Sequence, residues 1–380
     1  MTGSLAEVVA TSSVVVCCGS GGVGKTTTAA IIAMEAARSG RRAVVVTIDP
    51  ARRLADALGL EGLTNTPAPI DGPWAGPDGS GGEMNALMLD TKATFDGLVR
   101  RYSADPDQAE RILANSFYEN ISGALSGTQE YMASEKLYEL AVEGGFDLVV
   151  VDTPPTRNAL DFLDAPQRLA HFLDHRLYKV LMSPTRGFVR AVNVAAQAVV
   201  RSLSKVVGAE VIADAIAFFQ AFEGMEQGFK ERAAAVDQLL SDRSTAFVLV
   251  ASPKADIVAE AGYFADKLHE NGIQVRGLIV NRMEPVYGLD AAGSVSSTAA
   301  AMRERAATLS GTPLGDQYRC LADSLQLARD EEEHLAGLAD RVAPAPVVRV
   351  PVQPFEVSDL DSLAALGAQM FDSGVDRTEG

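Results

Sequence analysis

At 380 residues the chain is long enough to bury a substantial core and to hold two or three structural units. A formal net charge of −17 argues against nucleic acid and anionic lipid as partners, because both need clustered Lys and Arg. The 47% hydrophobic content, a mean hydropathy of +0.08 and the lack of any apolar run near the ~20 residues of a bilayer span argue against a membrane protein. Without a basic, then apolar, leader at the N-terminus, the expected location is cytoplasmic. Three cysteines with no C-x-x-C pair support neither a zinc clasp nor a disulfide framework.

In chain order, residues 13–18 form an apolar run that predicts a buried strand, and 25–38 read as an Ala-rich helix. Strands follow at 42–48, near 84–89 and at 146–151, with a Pro/Gly-rich surface loop at 65–82 that carries Trp74 as an anchored residue. From Pro166 to Leu240 the pattern is helical. One stripe runs through Leu169, Phe172, Leu173, Leu177, Val180 and Leu181. A second runs through Phe188, Val192, Ala195, Val199, Leu203 and Val206, and a third through Ile212, Ile216, Phe219 and Phe222. Off-stripe residues such as Val194, Val200, Val207, Val211 and Phe218 widen these apolar faces, which suits core packing and also a hydrophobic client. Strands at 245–251, 274–280 and 346–351 resume the sheet, and Asp330 to Glu333 read as the solvated face of a helix that also carries Leu325 and Leu335.

The fold class is therefore α/β: a mostly parallel sheet with helices on both faces and a helical insertion subdomain. Residues 1–164 and 241–371 form the sheet domain, 165–240 the insertion, and 372–380 a flexible tail.

Gly19-Ser20-Gly21-Gly22-Val23-Gly24-Lys25-Thr26, between strand and helix, fits G-x-x-x-x-G-K-T, the P-loop of nucleoside triphosphatases. Glycines let backbone N–H groups close on phosphate oxygens, and the following helix start adds its positive dipole end. Gly21, Gly22, Val23, Gly24, Lys25, Thr26 and Thr27 are the expected phosphate contacts, with Lys25 on the β- and γ-phosphates and the Thr26 hydroxyl on Mg²⁺. Gly19, Gly21 and Gly24 also satisfy the dinucleotide pattern G-x-G-x-x-G, with Asp49 where a ribose-binding acid would stand. That alternative explains neither Lys25-Thr26 nor Asp152, an aspartate ending a second apolar strand, as expected of the acid that holds Mg²⁺ through water.

With these segments in view, the chain resembles the arsenite-pump ATPases and tail-anchored-protein targeting ATPases, dimeric P-loop proteins also called anion-transporting ATPases. Asp49-Pro50-Ala51 with Leu54, Asp56 and Ala57 is similar to the first switch of that family. Asp152-Thr153-Pro154-Pro155-Thr156 with Leu160, Phe162 and Leu163 is similar to the second, and residues 127–133 resemble the stretch leading into its strand. The resemblance implies that Asp49 orients the attacking water, that Asp152 holds Mg²⁺ through a water, and that Thr153 to Thr156 sense the γ-phosphate and move the helical insertion. It also implies that Asn281 reads the adenine edge and that Pro351 to Val357 close over the base. Its cofactors would be ATP and Mg²⁺.

One position departs from the family: the second residue of the loop, normally a lysine reaching the partner's nucleotide, is Ser20. A comparable arginine finger is worth about 10³–10⁵ in rate. A homodimer should then hydrolyse ATP slowly, unless Arg52, Arg53 or Arg157 substitutes or a lysine-bearing paralogue completes a heterodimer. The sparse cysteines weaken an arsenite role and a zinc-clamped dimer. The leading expectation is an ATP-hydrolysing dimeric switch that moves its helical insertion to handle a hydrophobic client or membrane-transport partner, without inserting into the membrane. The alternatives are a low-turnover regulatory subunit and the motor of an anion pump.

Overall fold

The structure, a computed structural model, describes residues 3–48, 53–74, 81–121, 128–154, 156–174, 209–286 and 298–372. Its strands are β1 (Val14–Cys18), β2 (Arg42–Thr47), β3 (Ala68–Ile70), β4 (Glu83–Met88), β5 (Leu148–Asp152), β6 (Thr245–Ala251), β7 (Val275–Met283) and β8 (Val347–Pro351). They form one sheet in the order β3-β4-β2-β5-β1-β6-β7-β8, parallel throughout except for the antiparallel β3–β4 edge. β1 and β5 are buried at every position, as continuous Val-rich runs must be when helices cover both faces of a parallel sheet.

Helix α1 (Leu5–Thr11) precedes β1, and α2 (Lys25–Arg38) follows it and packs on β2 and β5. Ala29, Ala30, Ala33, Ala36 and Ala37 of α2 are all buried, and their small side chains let the helix axis approach the sheet. Ile31 and Ile32, also buried, contribute about 1.5–3 kcal/mol each on transfer from water. Arg41 donates to the carbonyls of Val9, Ser12 and Asp147, tying α1 to the strand starts.

The segment 65–82, expected to be only loop, contains β3 at the sheet edge. Pro69 sits there without loss because an edge strand can lack one donor. Trp74 is buried in the sheet's core cluster. Beyond the sheet come α3 (Arg53–Ala57), α11 (Ala255–Glu270), α12 (Ala299–Thr308), α13 (Pro313–Val342) and α14 (Leu360–Asp372). The acidic run on α13 is only half solvated. Glu332 and Glu333 are exposed, whereas Asp330 and Glu331 are partly buried and Glu331 accepts the Glu284 N–H at 2.7 Å.

By its contacts the chain divides into a sheet unit (3–88, 145–159 and 243–372 of the described residues) and a helical unit (89–144 and 160–242). The helical unit is thus built from two chain segments. By sequence alone 89–144 goes with the sheet domain, because its short helices look like α/β crossovers; by contacts it goes with the helical unit. Its described helices are α4 (Thr91–Tyr102), α5 (Pro106–Leu113), α6 (Ser116–Ile121), α7 (Thr128–Tyr138), most of α8 (Thr156–Asp174), α9 (Ala209–Ala221) and α10 (Glu226–Ser241). Leu98, Ile112, Tyr118, Phe218, Phe222 and Phe229 form its core, so Phe218 belongs inside rather than on a spare face. Phe172, placed on the first stripe, is half exposed. The second stripe, with Val194, Val200 and Val207, lies outside the described residues.

Candidate functional site

The C-terminal ends of β1, β2 and β5 are adjacent in the sheet, and the chemistry collects there. The β2–β5 register sets Thr47 beside Asp152, and the β1–β5 register sets Cys17 beside the same residue. Asp152, 1% exposed, accepts on Oδ2 from Thr26 Oγ1 at 2.7 Å and from Thr47 Oγ1 at 3.0 Å. The first residues of α2 therefore lean on the end of β5. Thr153 donates its hydroxyl to the Cys17 carbonyl at 2.7 Å, which fixes the chain as it leaves the strand.

The loop between β1 and α2 turns on glycines. Gly22 and Gly24 have φ of +76° and +101°, a region that L side chains rarely adopt. Lys25, 7% exposed, donates to the Ser20 carbonyl at 2.8 Å, so its ammonium folds back over the loop. Asn281, at the end of the apolar part of β7, donates through Nδ2 to the Val23 carbonyl at 2.8 Å. Its Oδ1 accepts the Arg282 N–H at 2.9 Å. Asn281 thus braces the loop from the neighbouring side of the sheet.

A cleft of about 640 Å³ opens over this arrangement. Gly21, Gly22, Gly24, Lys25, Thr26, Thr27, Asp152, Thr153, Asn281 and Pro351 all line it. Val23 contributes its carbonyl to Asn281 while its side chain is buried. Val352, Gln353, Phe355, Glu356 and Val357 line the same cleft, which joins the segment after β8 to the loop after β1. Pro154 is half-buried and is not among the lining residues; Thr156 opens α8. Asp49, Pro50 and Pro155 lie outside the described residues, as does Arg52.

The donor set fits a metal-bound polyphosphate. Thr26 and Asp152 offer hard oxygens of the kind Mg²⁺ prefers, and Gly22, where a Cβ would meet nothing within 4 Å, leaves room for an anion beside the α2 N-terminus. Beneath it, burial pushes the Cys18 thiol up to about 12, with Lys25 pulling the other way, and burial and the Asp152 charge raise Cys17. Neither thiol can serve as a nucleophile at neutral pH.

Three features escaped the sequence reading. Thr47 is the polar residue closing the apolar run Ala43 to Val46 of β2, a signal legible only once its register against Asp152 is known. Ser20, 3% exposed, donates its hydroxyl to Glu260 Oε2 at 2.6 Å, a partner 240 residues away on α11 that no local pattern marks. Arg282 holds a positive φ of 62° and lines the cleft beside Arg53 and Asp56 of α3, which the first-switch resemblance and the need for a substitute cation already marked.

A profile of the family described as anion-transporting ATPases matches residues 12–288. An uncharacterised protein of Streptomyces coelicolor is 30% identical over 265 residues, 67% of this chain and 58% of that protein. A Trypanosoma cruzi protein named ATPase ASNA1 homolog is 25% identical over 252 residues, 64% of this chain and 63% of its own length. ATPase asna-1 of Caenorhabditis elegans is 28% identical over 147 residues, 36% of this chain and 40% of its own length. The chain thus spans less than two thirds of the length of these relatives. The profile covers most of the chain and both apolar strands that end at the glycine loop and at Asp152. The chain belongs to the anion-transporting ATPase family, with its mostly parallel P-loop fold.

Proposed function

We propose that the chain binds Mg·ATP in this cleft and hydrolyses it as the switch of a dimer, using the helical unit to handle a hydrophobic client or a membrane-transport partner. The observation that carries the reading is the convergence of Thr26 and Thr47 on Asp152 beside the glycine loop and Lys25. When bound, Mg²⁺ supplies charge neutralisation across the β- and γ-phosphate oxygens.

The residues divide the remaining tasks. Backbone N–H groups from Gly21 to Thr27 hold the phosphates, and Lys25, kept over the loop by its bond to the Ser20 carbonyl, turns its remaining donors to them. Thr26 would hold the metal directly and Asp152 through a water. Asn281 and Pro351, which line the cleft, would meet the base. Asp49 orients the attacking water, and Pro50 starts the segment that moves with it. Coupling to the helical unit is supported by the chain itself: Thr153, Pro154, Pro155 and Thr156 connect β5 to α8, whose residues from Leu160 onward belong to that unit. Membrane insertion of the chain itself is not part of the reading, as no described helix is long and apolar enough to cross a bilayer.

Calorimetric titration with Mg·ATP, paired with phosphate-release assays, tests this. The wild-type chain should bind and turn over, Lys25→Ala should lose binding, and Asp49→Asn should bind without turnover. No heat from the wild type, together with an unaltered Lys25→Ala chain, would remove the reading.

A second reading, a low-turnover regulatory half of a heterodimer, follows from the resemblance, which implies a lysine where this chain has Ser20; the observation beside it is that the Ser20 hydroxyl is committed to Glu260. Turnover that appears only when a lysine-bearing paralogue is mixed in would select it. Stimulation by an oxyanion would instead select an anion-pump motor.

A further inference from the structure

We propose that Glu260 is a positioning residue of the phosphate-binding loop, gripping Ser20 from the neighbouring strand–helix unit and thereby setting where Lys25 stands. The inference rests on the nucleotide-binding reading for its effect on affinity, and on geometry alone for its effect on the loop.

Two hydrogen bonds run in series through one residue. Glu260 Oε2 accepts from the Ser20 hydroxyl at 2.6 Å, and the Ser20 carbonyl accepts from Lys25 Nζ at 2.8 Å. The first has a carboxylate acceptor and the second an ammonium donor, so both belong to the stronger, charge-assisted class. Ser20 is almost wholly buried, which removes water as an easy substitute partner. Glu260 sits on α11, which follows β6, and β6 pairs in register with β1, the strand that feeds the loop. The loop is therefore pinned at its second residue from the β6–α11 side and at Val23 from the β7 side, through Asn281.

A carboxylate is an unfavourable neighbour for a polyphosphate. Its placement here makes sense as an anchor: neither Glu260 nor Ser20 is among the residues that line the cleft, the serine hydroxyl is given to Glu260, and the carbonyl of the same residue takes Lys25. A second-position serine without such an acceptor would leave the loop tip free to rotate.

Two measurements on the full chain test the anchor. Hydrogen exchange of the loop peptide, recorded without nucleotide, should rise about 10-fold in Ser20→Ala and in Glu260→Ala. It should stay near wild type in Glu260→Gln, whose amide oxygen still accepts. In Mg·ATP titrations the two alanine variants should each bind about 10-fold more weakly, the double variant no more weakly than either, and Glu260→Gln within about 3-fold of wild type. Where turnover is measurable, the loss should fall on KM rather than kcat. Unchanged loop exchange in Glu260→Ala, or a double variant whose loss is the product of the two single losses, would overturn the anchor. If Lys25→Ala and wild type both fail to bind nucleotide, the functional reading falls, while the exchange measurement still decides the anchor.

Discussion

Gly24→Ala gives the sharpest test of the loop geometry. Gly24 caps the start of α2 with φ +101° and ψ 24°, and a Cβ placed there would stand 2.4 Å from Asn281 Nδ2. Holding a non-glycine residue in the left-handed region costs about 1–2 kcal/mol. The clash also displaces the Asn281 amide from the Val23 carbonyl, a bond worth about 1 kcal/mol net. The expected loss is therefore about 2–3 kcal/mol, or about 4–12 °C in melting temperature for a domain of this size.

Gly22→Ala is the control, since Gly22 also has a positive φ, +76°, but its Cβ would meet nothing within 4 Å. It should lose only the backbone part, about 1–2 kcal/mol. Combining Gly24→Ala with Asn281→Ala should cost about 1 kcal/mol less than the two singles added, because both remove the same hydrogen bond. Thermal unfolding of wild type, the three single variants and the double variant, recorded without nucleotide, reads all three differences. Equal losses in Gly22→Ala and Gly24→Ala, with strict additivity in the double variant, would refute the brace between β7 and the loop.

Thr47→Val keeps the β-branched shape that β2 needs and removes one of the two hydroxyls on Asp152. Affinity for Mg·ATP, followed by titration calorimetry, should fall about 5-fold, and an unchanged value would deny Thr47 a role in holding the carboxylate. In the helical unit, hydrogen bonds from Arg101 and then Arg232 hold the Glu143 carboxyl at about 2, against an ordinary 4.5. A depressed carboxyl stabilises the fold above its ordinary value and loses that contribution as pH falls toward 2, whereas Glu135, raised by burial, acts in the opposite sense. The stability gap between wild type and Glu143→Gln should therefore be widest above pH 4.5 and shrink as pH falls to about 2; a gap independent of pH in denaturant titrations would contradict it. Thiol labelling at pH 8 should find Cys320 fast, with Cys17 and Cys18 reacting only on unfolding, and Cys320→Ser should abolish the fast phase.

Much of the sheet could be read from the chain because buried parallel strands declare themselves as unbroken Val-rich runs. The runs at 13–18, 42–48 and 146–151 correspond to β1, β2 and β5 within two residues. The glycine loop was equally legible, since its spacing is local. Pairing across distance was not. Nothing near Ser20 names Glu260, and nothing near Asp152 names Thr47, because strand order and register bring them together. β3 was hidden by Pro69, which ordinarily speaks against a strand and is tolerated only because this one lies at the edge. The grouping of 89–144 with the helical unit by contacts is not legible in the sequence for a related reason: amphipathic helices look alike whether they cover a sheet or one another. Phe218 shows the same limit, lying off one helical stripe yet stacked against Tyr118 and packed on Phe222.

The register between β2 and β5 also bears on how occupancy of the cleft could become movement. Thr47 and Asp152 are hydrogen-bonded partners, Asp49 lies two residues beyond the first and Thr153 immediately after the second. Both segments read as switches therefore leave the sheet from one shared bond. Asp152 Oδ2 also holds Thr26, so a metal that drew Thr26 toward a phosphate would change the load on that carboxylate directly. Exchanging one such hydrogen bond shifts the balance by about 0.5–1.5 kcal/mol. Coupling between distant sites in proteins is commonly about 1–3 kcal/mol, so one or two rearrangements at Asp152 suffice in magnitude to bias the start of α8. Thr47→Val separates this route from one through the loop alone. It leaves the Thr26–Asp152 bond in place while cutting the link between the two strand ends, so nucleotide should still bind but report more weakly to the helical unit in hydrogen exchange. Undiminished nucleotide-dependent protection of α8 in that variant would show that the signal leaves the cleft elsewhere.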